Sequence, residues 1–131
     1  MKQIILLAIF LTLTSVFTYA QVTQEWVKRY NNPPGKPDFA KFLKLDAAGN
    51  IYVSGESYTG TDTIIVIMKY NSSGVVKWIQ TYSGSSRVSA MAVDAAGNVY
   101  ITVFGKDISS IFDYVTIKYN TSGIQQWIAR Y

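Results

Sequence analysis

Four acidic side chains downstream of residue 38 have no counterpart in a repeated pattern of this sequence: Glu56, Asp62, Asp107 and Asp113. A pair of such carboxylates on converging loops is what glycoside hydrolysis requires, one as acid and the other as base or nucleophile. Two further acids, Asp46 and Asp94, each open an Asp-Ala-Ala-Gly-Asn segment. Its carboxylate, Asn carbonyl and backbone oxygens are hard donors of the kind Ca²⁺ takes. Each loop brings one charged ligand where a tight calcium site gathers several, so neither a metal site nor a cofactor is assigned. The 131 residues contain no His and no Cys. That removes the commonest general base, the thiolate nucleophile and most zinc, haem and iron–sulfur ligand sets. No residue is assigned a catalytic role, and the chain reads as non-enzymatic.

Composition places these residues in a packed protein: 49% of the chain is hydrophobic and only 15% charged, which excludes a disordered or collagen-like polypeptide. Its formal charge of +4 is spread along the chain with no run of three Lys or Arg, so there is no nucleic-acid footprint. At the front, Met1-Lys2-Gln3 leads into an apolar run from Ile4 to Phe17, then Thr18, Tyr19, Ala20 and the polar Gln21. Residues 1–20 read as a signal peptide cut after Ala20. A helix of about 14 residues covers only about 21 Å of a hydrocarbon core near 30 Å, so no membrane span is expected after cleavage. The expected destination is secretion or the cell surface. An exported chain without cysteine must gain its stability by burial alone.

The remainder repeats itself. Asp46-Ala47-Ala48-Gly49-Asn50-Ile51-Tyr52 recurs 48 residues later as Asp94-Ala95-Ala96-Gly97-Asn98-Val99-Tyr100. Lys69-Tyr70-Asn71-Ser72-Ser73-Gly74, followed by Trp78, recurs 49 residues later as Lys118-Tyr119-Asn120-Thr121-Ser122-Gly123, followed by Trp127. Upstream, Trp26 and Tyr30 have the spacing of Trp78 with Tyr82 and of Trp127 with Tyr131. The chain thus holds a trailing piece of one repeat and two full copies. Residues 22–38 form the partial repeat, expected as an outer strand plus the irregular Asn31-Asn32-Pro33-Pro34-Gly35 connection. Residues 39–82 and 87–131 form the full repeats.

Each Asp/Asn-to-Gly segment lies between apolar runs. Its Asp or Asn can accept bonds from backbone amides ahead of it, and its Gly supplies the positive φ of a type I turn with a bulge. This predicts four antiparallel strands per repeat, the size of a β-propeller blade. The runs are β-branched and aromatic, with no helical stripe. Ile64 to Met68 is apolar at both parities, and Val75-Val76 and Ala90 to Val93 behave likewise. Both faces of each sheet are therefore expected to be covered, as blades stacked about an axis would be. The predicted fold is all-β: an incomplete propeller of two blades plus an extra strand. Because two blades leave outer faces bare and rings normally need at least four, further blades are the expected partner. They would come from the same longer chain, of which this is an N-terminal fragment, or from a homo-oligomer.

The two blocks resemble the SBBP repeat, a β-propeller repeat of secreted and surface bacterial proteins. The resemblance spans nearly all of residues 22–131 and implies an extracytoplasmic propeller, seven-bladed when complete, with no established activity. Val103 stands where the first copy has Gly55, so the first hairpin of the second blade is expected to end differently.

Residues shared by both copies answer a demand of every blade and are read as structural: Asp46, Gly49, Asn50, Tyr52, Tyr70, Asn71, Gly74 and Trp78 in the first, Asp94, Gly97, Asn98, Tyr100, Tyr119, Asn120, Gly123 and Trp127 in the second, with Trp26 upstream. Lys69 and Lys118 belong with them. Asn71-Ser72-Ser73 and Asn120-Thr121-Ser122 fit the N-glycosylation pattern, but the turn explains each Asn. Polar and aromatic residues that break the repeat are the binding candidates. Glu56, Tyr58 and Asp62 lie in the middle connection of the first blade, and Lys106, Asp107 and Phe112 in that of the second. Arg87 precedes an inner strand and is expected to point to the axial channel. Tyr58 and Phe112 suit stacking on a sugar or peptide, so the partner class is a glycan or a protein. The expected role is an extracellular binding or scaffold module. Its alternatives are a spacer without a ligand, or part of a carbohydrate-active enzyme whose catalytic residues lie outside this chain.

Overall fold

The computed structural model describes residues 21–84, 87–106 and 112–131. Residues 1–20, read above as a signal peptide, and the candidate Asp107 lie outside them. The described chain is all-β, with no helix and hence none long and apolar enough to cross a membrane. It forms eight strands: β1 (Asp38–Leu45), β2 (Ile51–Tyr58), β3 (Thr63–Tyr70), β4 (Val76–Ser83), β5 (Arg87–Val93), β6 (Val99–Lys106), β7 (Phe112–Tyr119) and β8 (Gln125–Arg130). β1 to β4 make one four-stranded antiparallel sheet and β5 to β8 a second, each in chain order.

The turn chemistry explains this meander. At the first turn Gly49 N bonds Asp46 O at 3.0 Å and Asp46 N bonds Asn50 O at 3.1 Å, a type I turn closed by Gly49 at φ 76. Asp94–Asn98 and the two Asn-to-Gly turns repeat the pattern. The sheets also share a β-bulge, between Ala40 and Phe42 in β1 and between Val88 and Ala90 in β5. Exchange of Gly55 for Val103 therefore leaves the pairing of the first hairpin unchanged, contrary to expectation. Gly55 lies where a Cβ would collide with the Phe39 carbonyl, whereas Val103 is fully buried in the core.

Burial follows strand parity. Tyr52, Ile65 and Ile67 face the second sheet, meeting Val88, Met91, Val99, Ile101, Val103, Val115, Ile117 and Tyr119. The opposite face of β3, Val66, Met68 and Tyr70, packs with Tyr30, Ile51, Val53 and Ile64. β3 is apolar at both parities because both its sides are covered. The sheets approach through β5, which lies against β1 and β2.

Three expectations of burial and pairing fail. Ala90 and Ala92 are exposed, since they lie on the far face of the second sheet, which no other described strand covers. Val75 and Val76 are exposed too, because they sit where the last turn of the first sheet enters its edge strand. The extra strand within 22–38 does not form: residues 21–37 carry no strand pairing. With no neighbouring ladder to join, that segment docks through side chains, Tyr30 into the cluster of Val66 and Tyr70 and Trp26 against Tyr70.

Candidate functional site

In a meander, turns alternate between ends. All four repeated turns lie at one end of the two sheets, and the β2–β3 connection, with the last residue of β6 and the first of β7, lies at the other. The two ends do different things.

At the repeated end, Asp46 Oδ1 accepts from the amides of Ala48 and Asn50, at 3.0 and 2.9 Å, and Oδ2 from Asn50 Nδ2 and the Tyr52 hydroxyl, at 2.8 and 3.0 Å. Asp94 does the same with Ala96, Asn98 and Tyr100. Desolvation pushes the Asp46 carboxyl upward, but the bonds from Asn50, Tyr52 and Ala48 outweigh it and leave the pKa below its ordinary value. Bonds from Asn98 foremost, with Tyr100 and Ala96, lower Asp94 likewise against a smaller desolvation. Burial first, and then the bond to Asp46, holds the Tyr52 hydroxyl well above the ordinary phenol value. Each carboxylate is thus occupied by its own turn. Among the described residues no three acidic, His or Cys side chains gather to hold a metal ion.

The same end joins one repeat to the next. Trp78 Nε1 donates to Thr121 O at 3.1 Å, in the β7–β8 turn of the second sheet. Its ring stacks on Tyr119, centroids 6.5 Å apart at 29°, and lies over Gly123, where a Cβ would come within 2.7 Å of the indole. Trp26 repeats this in every part: Nε1 donates to Ser72 O at 3.2 Å, the ring stacks on Tyr70 at 6.2 Å and 30°, and a Cβ on Gly74 would again come within 2.7 Å. Lys69 reinforces the joint between the sheets. Its Nζ sits 5.0 Å from the centre of the Tyr52 ring and donates to Thr121 O at 3.3 Å. Tyr52 OH reaches Gly97 O at 3.4 Å. Farther along the outer strands, Arg130 Nη2 donates to Tyr82 OH at 3.2 Å.

The other end gathers the binding candidates without making a catalytic pair of them. Glu56 ends the contact between the sheets: its Oε1 accepts from Val88 N at 3.3 Å, and its Oε2 lies 3.6 Å from Lys41 Nζ. Tyr58 closes the β2–β3 connection by donating its hydroxyl to Gly60 O at 2.7 Å while its ring stays partly exposed. Asp62 is exposed, its backbone tied to Thr59. Arg87 is the exposed first residue of β5. It is paired in register with Phe104, so it lies within the strand rather than before it. Lys106 and Phe112 end β6 and begin β7 at this end. The topology therefore brings Glu56, Tyr58, Asp62, Arg87, Lys106 and Phe112 to one end, but Glu56 is spent on holding the sheets together. Sequence reasoning missed that role because Lys41 meets Glu56 through the β1–β2 pairing, and Val88 N only once β5 lies on β1 and β2.

No protein-family model matches this chain, and no curated protein matches it.

Proposed function

We propose that this chain is a non-catalytic repeat module whose two sheets are adjacent blades of a β-propeller, related to the SBBP repeats that its motifs resemble. In this reading it is exported by its leader and serves as a binding or scaffold part of a secreted or cell-surface bacterial protein. One observation carries it: an indole is seated on the Tyr, carbonyl and Gly of the following turn twice over, at Trp26 and at Trp78, in one geometry. A joint repeated with the sequence period is the property of a module that adds copies of itself. The occupied carboxylates of Asp46, Asp94 and Glu56 favour scaffold work over acid–base chemistry there.

The test is to lengthen the chain with in-phase copies of residues 87–131 and measure small-angle scattering and unfolding. The reading expects a disc with a central hole at a definite copy number, together with a step up in unfolding cooperativity. An open string of independently unfolding sheets would overturn it. Binding would be carried by the end bearing Tyr58 and Asp62, with a glycan or a peptide as ligand. A glycan array separates binder from scaffold: signal lost in Tyr58→Ala supports the first, and no signal on any glycan or peptide supports the second.

A further inference from the structure

The side chains that hold the first sheet to the second are present again on the far face of the second sheet. Trp127, Lys118 and Tyr100 stand where Trp78, Lys69 and Tyr52 stand one repeat earlier. Their internal arrangement is the same. The Tyr and Trp rings are 6.2 Å apart in both sheets, and the Lys Nζ lies 5.0 Å from the Tyr ring centre in one and 5.1 Å in the other. Only the acceptors differ. Trp78 and Lys69 share Thr121 O, whereas neither Trp127 Nε1 nor Lys118 Nζ has an acceptor among the described residues. Trp127 is 43% exposed and Tyr114, on the same face, 60%. Among the described residues there are three indoles of one kind and two seats for them, one at Tyr119, Thr121 and Gly123 and one at Tyr70, Ser72 and Gly74. Trp26 fills the second.

Resting on the repeat reading above, we propose that the far face of the second sheet docks a second copy of this chain, Trp127 entering the copy's seat at Tyr70, Ser72 and Gly74 once its own Trp26 has left. The segment around Trp26 is then a cap that withholds the seat. It can leave without breaking a sheet: residues 21–37 hold no strand ladder, and the segment is held by Trp26 on Tyr70, Ser72 O and Gly74, by Tyr30 in the Val66 and Tyr70 cluster and by the Ser57 hydroxyl donating to Asn32 O at 2.8 Å. Beside it runs a groove of about 720 Å³ between the segment and the first sheet, lined by Leu43, Val53, Val66 and Met68 among others. That is room for apolar side chains of an incoming sheet. On arrival, Lys118 and Trp127 would meet Ser72 O as their counterparts meet Thr121 O, and Tyr100 would meet Gly49 O as Tyr52 meets Gly97 O. The contact is head to tail, so copies add in one direction and end in a ring or a filament.

The test is the mass of the full chain, by light scattering over a concentration series, in three forms: natural, Trp26→Ala and Trp26→Ala/Trp127→Ala. Trp26→Ala should associate at least tenfold more tightly than the natural chain, and Trp26→Ala/Trp127→Ala should return to the natural chain's behaviour. A folded Trp26→Ala that stays monomeric throughout, or a double variant that associates as strongly as the single one, overturns the proposal. Should Trp26→Ala lose its fold, Trp26→Leu, which keeps apolar cover without an indole, serves in both arms. Trp78→Ala separates the two levels of inference. If its unfolding midpoint is unmoved, the repeated joint itself is refuted. If it falls while the Trp26 variants remain monomeric, only the docking of a second copy is refuted.

Discussion

The indole of Trp78 lies so close over Gly123 that a Cβ there would approach it to 2.7 Å, which makes this glycine as much a part of the joint between the sheets as of its own turn. Its φ of 82 already favours glycine. Gly49 has nearly the same φ, 76, but its added Cβ would meet only Ser72 Cβ at an ordinary 3.6 Å. The pair separates strain from contact. Gly49→Ala is expected to cost about 1–2 kcal/mol, the penalty of the left-handed region alone, and Gly123→Ala clearly more, because the ring must also move. Urea unfolding of the two variants checks the order.

Trp78 contributes a ring and an N–H, and two substitutions divide them. Trp78→Phe keeps most of the stacking on Tyr119 and loses the bond to Thr121 O, for an expected loss of about 1 kcal/mol. Trp78→Ala also forfeits its packing, and a partly exposed ring should cost about 2–3 kcal/mol, below the range for a fully buried one. Thermal unfolding read together with tryptophan fluorescence checks both.

Stability should fall at both extremes of pH, for opposite reasons. Asp46 and Asp94 have folded pKa values below their ordinary ones. Their stabilisation is complete above the unfolded value of about 3.9 and is lost as pH falls through the folded values. Tyr52, raised by burial and by Asp46, behaves in the reverse sense, as do Tyr70 and Tyr119, raised by burial foremost. Their contribution is complete below the ordinary phenol value of about 10 and is lost as pH rises through the folded values. Denaturant midpoints measured from pH 2 to 11 should form a plateau with two falling flanks, and Asp46→Asn/Asp94→Asn should flatten the acid one.

Glu56 pins the first strands of the two sheets. Glu56→Gln keeps an oxygen for Val88 N and gives up only the ion pair with the half-exposed Lys41, so a loss within about 1 kcal/mol is expected. Glu56→Ala leaves Val88 N without that partner and should cost about 1–3 kcal/mol. Amide exchange at Val88 is the sensitive readout, faster in the alanine variant and near natural in the glutamine one.

Much of the fold is legible along the chain because its causes are local. The turn at Asp46–Asn50 is written in its own residues: one carboxylate reaches two amides within four positions, and one glycine takes the conformation that others avoid. The period of Asp46 with Asp94 and Lys69 with Lys118 likewise announces two copies of one four-stranded unit. The two-sided apolar pattern of Ile64 to Met68 says that both faces of β3 are covered.

What covers them is another matter. The segment around Trp26 has the residues of an outer strand yet forms none, because a strand needs a neighbour's free amides and carbonyls and none stands beside it. Ala90 and Val76 read as buried and are exposed, since apolar residue type does not say whether another surface arrives. Glu56 reads as a free acid at a binding end, and its partners come within reach only on folding, Lys41 through the β1–β2 hairpin and Val88 N through the contact of β5 with β1 and β2. Sequence alone determined the turns, the strands and the repeat, all of which rest on interactions a few residues long. Tertiary structure alone decided which indole sits on which glycine, because that depends on how two finished sheets meet across some 45 residues of chain.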